Sequence, residues 1–152
     1  MENKDIVIPA TDDPDTAGFW AAARERRLVV QRCGDCGKMR FPPRPACTCG
    51  SFAMGWHEVS GRGRVWSYGV AHAPTLPAFA DLVPYVFAVI ELADAPHLRM
   101  VGNLATSAKA AINSVPQDAV AIGDEVTVAF RPVTDEVTLP VWIPATQSEV
   151  VQ

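Results

Sequence analysis

The sequence has no apolar run long enough to cross a membrane. The longest lies around LVPYVFAVI, residues 82 to 90; it is interrupted by Pro84 and flanked by Asp81 and Glu91, far short of the roughly 20 residues a spanning helix needs. The start, MENKDIVIPATDD, lacks the basic cluster and apolar core of a secretion signal. The expectation from these two absences is a soluble, cytoplasmic protein. There is no glycine-rich phosphate loop and no GxSxG. The three histidines, His57, His72 and His97, are scattered, and none stands at ligand spacing from another metal-binding residue. His72, at the end of an expected strand beside a proline-rich loop, is the one histidine placed to reach a cleft. Neither a nucleophile with an evident base nor a catalytic carboxylate pair is indicated. Cysteine is absent everywhere except between residues 33 and 49, where all four lie.

What remains is the composition of one globular domain, or of one domain with a small attachment: 152 residues, 49% hydrophobic. A net charge of −4 hides an asymmetry. Between Arg24 and Arg64 stand nine basic and three acidic residues, a net +6; the other four basic and fourteen acidic residues leave the rest at −10. A basic first third on an acidic body suits a local anion contact or an oriented protein interface, and argues against the broad basic surface of a nonspecific nucleic-acid binder.

The cysteines stand as Cys33-x2-Cys36, ten residues, then Cys47-x-Cys49. Two close pairs suit the tetrahedral, all-sulfur coordination of a structural Zn²⁺. Arg32, Lys38 and Arg40 offset the charge of four thiolates, and Gly34, Gly37 and Gly50 permit tight turns. Three rivals stand beside that reading. Disulfides are disfavoured in a cytoplasmic chain of this size. A redox CxxC needs a thioredoxin-like helix that is not evident here. The third rival is a loosened or vacant metal site, because Cys47-Thr48-Cys49 has one spacer residue where such ribbons carry two.

The flanking sequence predicts a mainly β fold. Residues 1–13 read as a flexible arm. Asp13-Pro14 opens a helix carrying Phe19, Trp20 and Ala23 on one side, and Leu28-Val29-Val30 begins a short strand into the cysteines. Strands are expected over 64–72, 85–92, 97–104, 125–131 and 137–143, with Ala93-Asp94-Ala95-Pro96 as a hairpin turn and one or two helical turns at 107–113. In the first of these strands Trp66, Tyr68 and Val70 are expected to share one side. Trp20, Trp66 and Trp142 are assigned to the core. Five strands with a helix after the third is the layout of an OB-fold barrel; an open five-stranded sheet is the alternative. The domain reading is arm 1–13, helix and ribbon 14–60, barrel 61–146 and tail 147–152. Within the barrel, APTLPAFADLVP (73–84) places Leu76, Phe79 and Leu82 between prolines, either a satellite of the core or an apolar lip for a partner or an acyl chain.

FWAAARERRLVVQRCGDCGKMRFPPRPACTCGS, followed by GRGRVWSY (61–68), Pro84-Tyr85-Val86, Gly102-Asn103-Leu104 and Ile122-Gly123-Asp124, resembles the DUF35 family, a rubredoxin-like zinc ribbon joined to an OB-fold. The likeness spans about residues 16–144; it departs at Cys47-Thr48-Cys49, where the family has CxxC. The resemblance implies a structural zinc and a non-catalytic accessory or scaffold subunit. Its partner would be a thiolase-superfamily protein encoded nearby: a thiolase-like aldolase of steroid side-chain CoA esters, or an acyl-CoA condensing enzyme. The metal ligands would be Cys33, Cys36, Cys47 and Cys49. Arg40, Arg44, Arg62 and Arg64 are candidates to meet CoA phosphates or the partner, with Leu76 and Phe79 as apolar contacts. A single-strand nucleic-acid binder and a free-standing acyl-CoA binder or thioesterase are the competing readings.

Overall fold

The computed structural model describes residues 7–145. The expected tail, 147–152, and the first six residues of the expected arm lie outside that range. Helix α1 spans Ala17–Arg24. The Asp13-Pro14 signal acts just upstream of it: the Asp13 carbonyl accepts from the Thr16 and Ala17 amides at 3.0 and 2.8 Å, and its carboxylate accepts from the Asp15 amide at 2.8 Å. Two residues past the helix, Arg26 takes a φ of 60°. The Arg26 and Arg27 amides then return to the carbonyls of Ala23 and Ala22, both at 2.9 Å, closing the last turn as a Schellman cap does.

A three-stranded sheet follows in the order β2-β1-β3, from β1 (Val29–Cys33), β2 (Met39–Arg40) and β3 (Met54–Glu58). Strand β1 is its centre, and one end carries a cysteine while the other enters the apolar core. The second sheet has the order β6-β5-β4-β7-β8, from β4 (Arg62–Ala71), β5 (Tyr85–Leu92), β6 (Arg99–Asn103), β7 (Glu125–Pro132) and β8 (Thr138–Pro144), all neighbours antiparallel. A parallel bridge from Leu104 to Trp142 brings the two edges together, so the sheet is a nearly closed five-stranded OB barrel. Alternation along β5 is strict: Val86, Ala88, Ile90 and Leu92 face inward at no more than 1% exposure. Gly102 fits the same closure, since a Cβ there would meet the Trp142 ring.

One apolar core joins the two sheets. Phe19, Ala22, Leu28, Val29 and Val30 pack in the same cluster as Val65, Ile90, Leu104, Val126 and Trp142. Trp142 is buried as expected, and Trp20 packs at the margin.

Two expectations are corrected. Trp66 is 54% exposed and is not core. The register of β4 against β5 slips between Val65 and Ser67, so Trp66 occupies a bulge and the side-chain alternation restarts after it. Tyr68 and Val70 therefore pair with the buried Ala88 and Val86, on the opposite face from Trp66. The helical turns at 107–113 are likewise not formed. That stretch is a series of turns, and the nearest helical element is a single 3₁₀ turn at Gln117–Ala119. Carbonyls that a helix would use internally are taken by Arg131, which donates to Ala108 and Ala110.

Candidate metal centre and flanking surfaces

The cysteines come from two knuckles, one closing β1 and one preceding β3. Their four Sγ atoms all lie within 4.8 Å of one another, with Cys33–Cys49 at 3.7 Å and Cys36–Cys47 at 3.6 Å. A Zn–S bond of about 2.3 Å places tetrahedral sulfurs about 3.8 Å apart, so the donor set fits zinc in both chemistry and spacing. The shortened second knuckle does not splay the site. In the first knuckle the Gly37 amide reaches back four residues to the Cys33 carbonyl at 3.1 Å; in the second the Gly50 amide reaches back three, to Cys47, at 2.9 Å. Each glycine directly follows the second cysteine of its pair, with φ of 73° and 87°. The missing residue is absorbed as a tighter turn of the same design.

The thiols sense this geometry. The Cys36 amide points at Cys33 Sγ at 3.5 Å, and that backbone bond, with one from Asp35, lowers the Cys33 thiol to about 6 against the cost of burial. Cys47 is lowered as well, chiefly by a backbone bond from Cys49. At Cys49 a backbone bond from Ser51 pulls downward, but desolvation and the other three sulfurs outweigh it and push the thiol up to about 11. Sulfurs this close cannot all ionise without a cation among them.

Polar bridges hold the knuckles in place. Ser51 donates to the Asp35 carboxylate across the site, and the Gly34 amide donates to the Ala53 carbonyl at 2.7 Å. Behind the cysteines, buried Gln31 accepts at Oε1 from Arg40 Nη2 at 2.6 Å, from Arg40 Nε at 3.1 Å and from the Arg44 amide at 2.9 Å. Arg40 also donates to the carbonyls of Ala46 and Arg44, at 2.6 and 3.0 Å. Its side chain is 92% buried with every guanidinium nitrogen engaged, so Arg40 drops out of the candidate CoA contacts: it locks the proline-rich span between the knuckles. Gln31 carried no sequence signal for this role.

The other candidates separate. Arg44 is exposed on the ribbon. Arg62 and Arg64 line a 410 Å³ cleft with Glu91 and Glu125; Arg64 lies 4.0 Å from Glu125 and both are exposed, so acidic neighbours already share that surface. Leu76 protrudes at 58% exposure. Phe79 turns inward and packs on Tyr85 with ring centroids 6.0 Å apart. His72 is exposed at the end of β4. No helix among the described residues is long and apolar enough to cross a membrane.

Comparison with known proteins matches both regions. The family model for the rubredoxin-like zinc ribbon domain of ChsH2 covers residues 20–55, and that for the ChsH2 C-terminal OB-fold domain covers 56–131. A DUF35 domain-containing scaffold protein of Methanothermobacter thermautotrophicus is 34% identical over 125 residues, 80% of this chain and 86% of that protein. The chain belongs to the DUF35 family. A probable enoyl-CoA hydratase alpha subunit of Thermomonospora curvata is 41% identical over 136 residues, which are 89% of this DUF35 chain but 39% of the relative. The chain thus spans well under half of that relative's length. Among solved structures, a chain of an Ltp2-ChsH2(DUF35) aldolase is 40% identical with a TM-score of 0.76, covering 90% of this chain and 99% of that one. The ribbon match and the four-sulfur cluster together make the metal centre a structural zinc site.

Proposed function

We propose that this chain is a non-catalytic accessory subunit of a thiolase-superfamily acyl-CoA enzyme, a scaffold that a larger partner needs in order to act. The observation that supports it most is the near-complete coverage of the ChsH2(DUF35) chain of an aldolase at 40% identity. The scaffold naming of the archaeal relative points the same way. In this reading Cys33, Cys36, Cys47 and Cys49 hold the zinc that stiffens the ribbon. Arg44, Arg62 and Arg64 meet the partner or CoA phosphates, and Leu76 with Phe79 forms the apolar lip. The partner is the thiolase-like protein encoded nearby, and the acyl substrate is that partner's. Co-expression of the two gene products tests it: a co-purifying complex with partner activity above that of the partner alone is expected. Clean separation with full partner activity would reject the reading.

Exposed Trp66 favours a second reading, stacking of a single-stranded base on the barrel. The Arg99 guanidinium already covers that ring at 4.9 Å and pairs with Glu91 at 3.2 Å, which leaves the platform occupied and its cation neutralised. Filter binding at low salt distinguishes the two, since tight, salt-sensitive binding belongs only to the nucleic-acid reading.

A further inference from the structure

A cleft of 260 Å³ opens on the barrel between the 73–84 loop, the 105–116 turns and the β7–β8 hairpin. Its walls are largely apolar, with Phe79, Leu82, Ile112 and Leu139 among them. Two polar side chains line it, Asn103 and Arg131. Arg131 donates from Nε to the Ala108 carbonyl at 2.7 Å and from Nη2 to the Ala110 carbonyl. Those bonds anchor the guanidinium and hold the 105–116 turns, but they use two of its five N–H groups and supply no negative charge. No described carboxylate lies within 4.0 Å of it. Burial lowers its pKa. A part-buried cation with no counter-ion among the described residues is costly, and the remaining donors of a fixed guanidinium fit a carboxylate. A concave apolar wall with a few convergent polar groups is the make-up of a small-molecule site.

We propose that this cleft binds a small carboxylate with an apolar body, its head on Arg131 and Asn103 and its tail against Phe79, Leu82, Ile112 and Leu139. The site belongs to this chain alone and operates whether or not the partner of the preceding section is present. The arginine supplies charge and direction, and the walls select for length and against polarity.

Octanoate is the probe, titrated into the purified full-length, zinc-loaded protein and followed by amide chemical shifts and calorimetry. Saturable one-to-one binding is expected, with shifts centred on Phe79, Asn103, Ile112 and Arg131. Octanol, with the same tail and no charge, and acetate, with the charge and no tail, should each bind at least about tenfold more weakly. Arg131→Gln should cost at least about tenfold in octanoate affinity and leave octanol unchanged. Should that variant fail to fold for want of its carbonyl anchors, Leu82→Glu decides: a carboxylate placed inside the cleft should pair with Arg131, leave thermal stability intact and abolish octanoate binding. Absence of saturable binding, equal affinity for octanol and octanoate, shifts centred elsewhere, or undiminished binding in either folded variant overturns the proposal.

Discussion

The ribbon and the barrel solve the same problem by different means. The barrel buries apolar side chains from every strand: Val65, Val86, Ile90, Met100, Val126 and Trp142 are each 3% exposed or less, and its order follows from the hydrophobic effect. The ribbon cannot do this. Between Arg32 and Met54 the buried residues are Cys33, Arg40 and Cys47, two metal ligands and a cation. It is held by four sulfurs, by the Gln31–Arg40 bracket and by bridges such as Asp35–Ser51. One region is specified by periodicity and volume, the other by a few irreplaceable polar atoms. Strand β1 belongs to both, with Val29 and Val30 in the shared core and Cys33 at the metal.

Metal removal breaks the comparison most sharply. Structural zinc in small knuckles carries apparent binding free energies of about 10–16 kcal/mol near neutral pH. Chelation, or Cys33→Ser, should therefore abolish the order of residues 33–53 while leaving the barrel folded. Hydrogen exchange reads this directly: protection should vanish at Gly34, Gly37 and Gly50 and persist along β5. Unchanged ribbon protection after stoichiometric zinc loss would show that the polar bridges suffice.

Trp142→Ala is the converse. Truncating a buried aromatic costs about 3–5 kcal/mol, and here it also leaves Gly102 facing a void. Because the core is continuous through Val29 and Val30, this change should lower the unfolding midpoint of both regions together in a denaturant titration. Two separate transitions, with only the barrel weakened, would contradict the single core.

The same contrast decides what the sequence made legible. The strand expected over 85–92, ahead of the Ala93-Asp94-Ala95-Pro96 turn, has the bounds that the structure shows. The paired cysteines announced the metal because the ligand types are rare and their spacing is constrained. Period carries no trace of a bulge, so by sequence alone Trp66 reads as a core residue. Arginine is ordinarily a surface residue, so Arg40 looked like a phosphate contact although it is a buried strut. The SAKAAIN stretch has helical propensity, yet Arg131, more than twenty residues away, claims two of its carbonyls. Propensity cannot foresee a distant competitor. The cleft around Arg131 was invisible for the same reason, being assembled from segments far apart in the chain.

Arg40→Met sharpens the ribbon side with a smaller effect. The change keeps much of the side-chain volume but removes the donors that satisfy Gln31 and the Ala46 and Arg44 carbonyls. A buried acceptor left unpaired costs about 1–3 kcal/mol. Adding Gln31→Leu should recover part of that loss, since an apolar pair strands fewer groups than a broken bracket. Thermal melts of the two single variants and the double variant measure the coupling. Additive losses would mean that the bracket does not act as a unit.

The smallest effect lies where the two regions meet. Ser60 sits between β3 and β4, and its amide donates to Asp94 Oδ2 at 2.8 Å while its hydroxyl donates to Oδ1. These bonds, Ser60's hydroxyl first, hold the Asp94 carboxyl below its ordinary value, with Arg62 and His57 helping. The folded pKa is lowered, so the contribution is complete above the unfolded carboxylate value near 4 and fades as pH falls through the folded value. Asp94 is exposed, so solvent screening limits the linkage to a few tenths of a kcal/mol, at most about 1. Asp94→Asn should reduce stability slightly at neutral pH, and the deficit relative to wild type should shrink on acidification below pH 4. A deficit that stays constant from neutral to acid pH would assign the loss to the turn itself, not to the charge that ties the ribbon to the barrel.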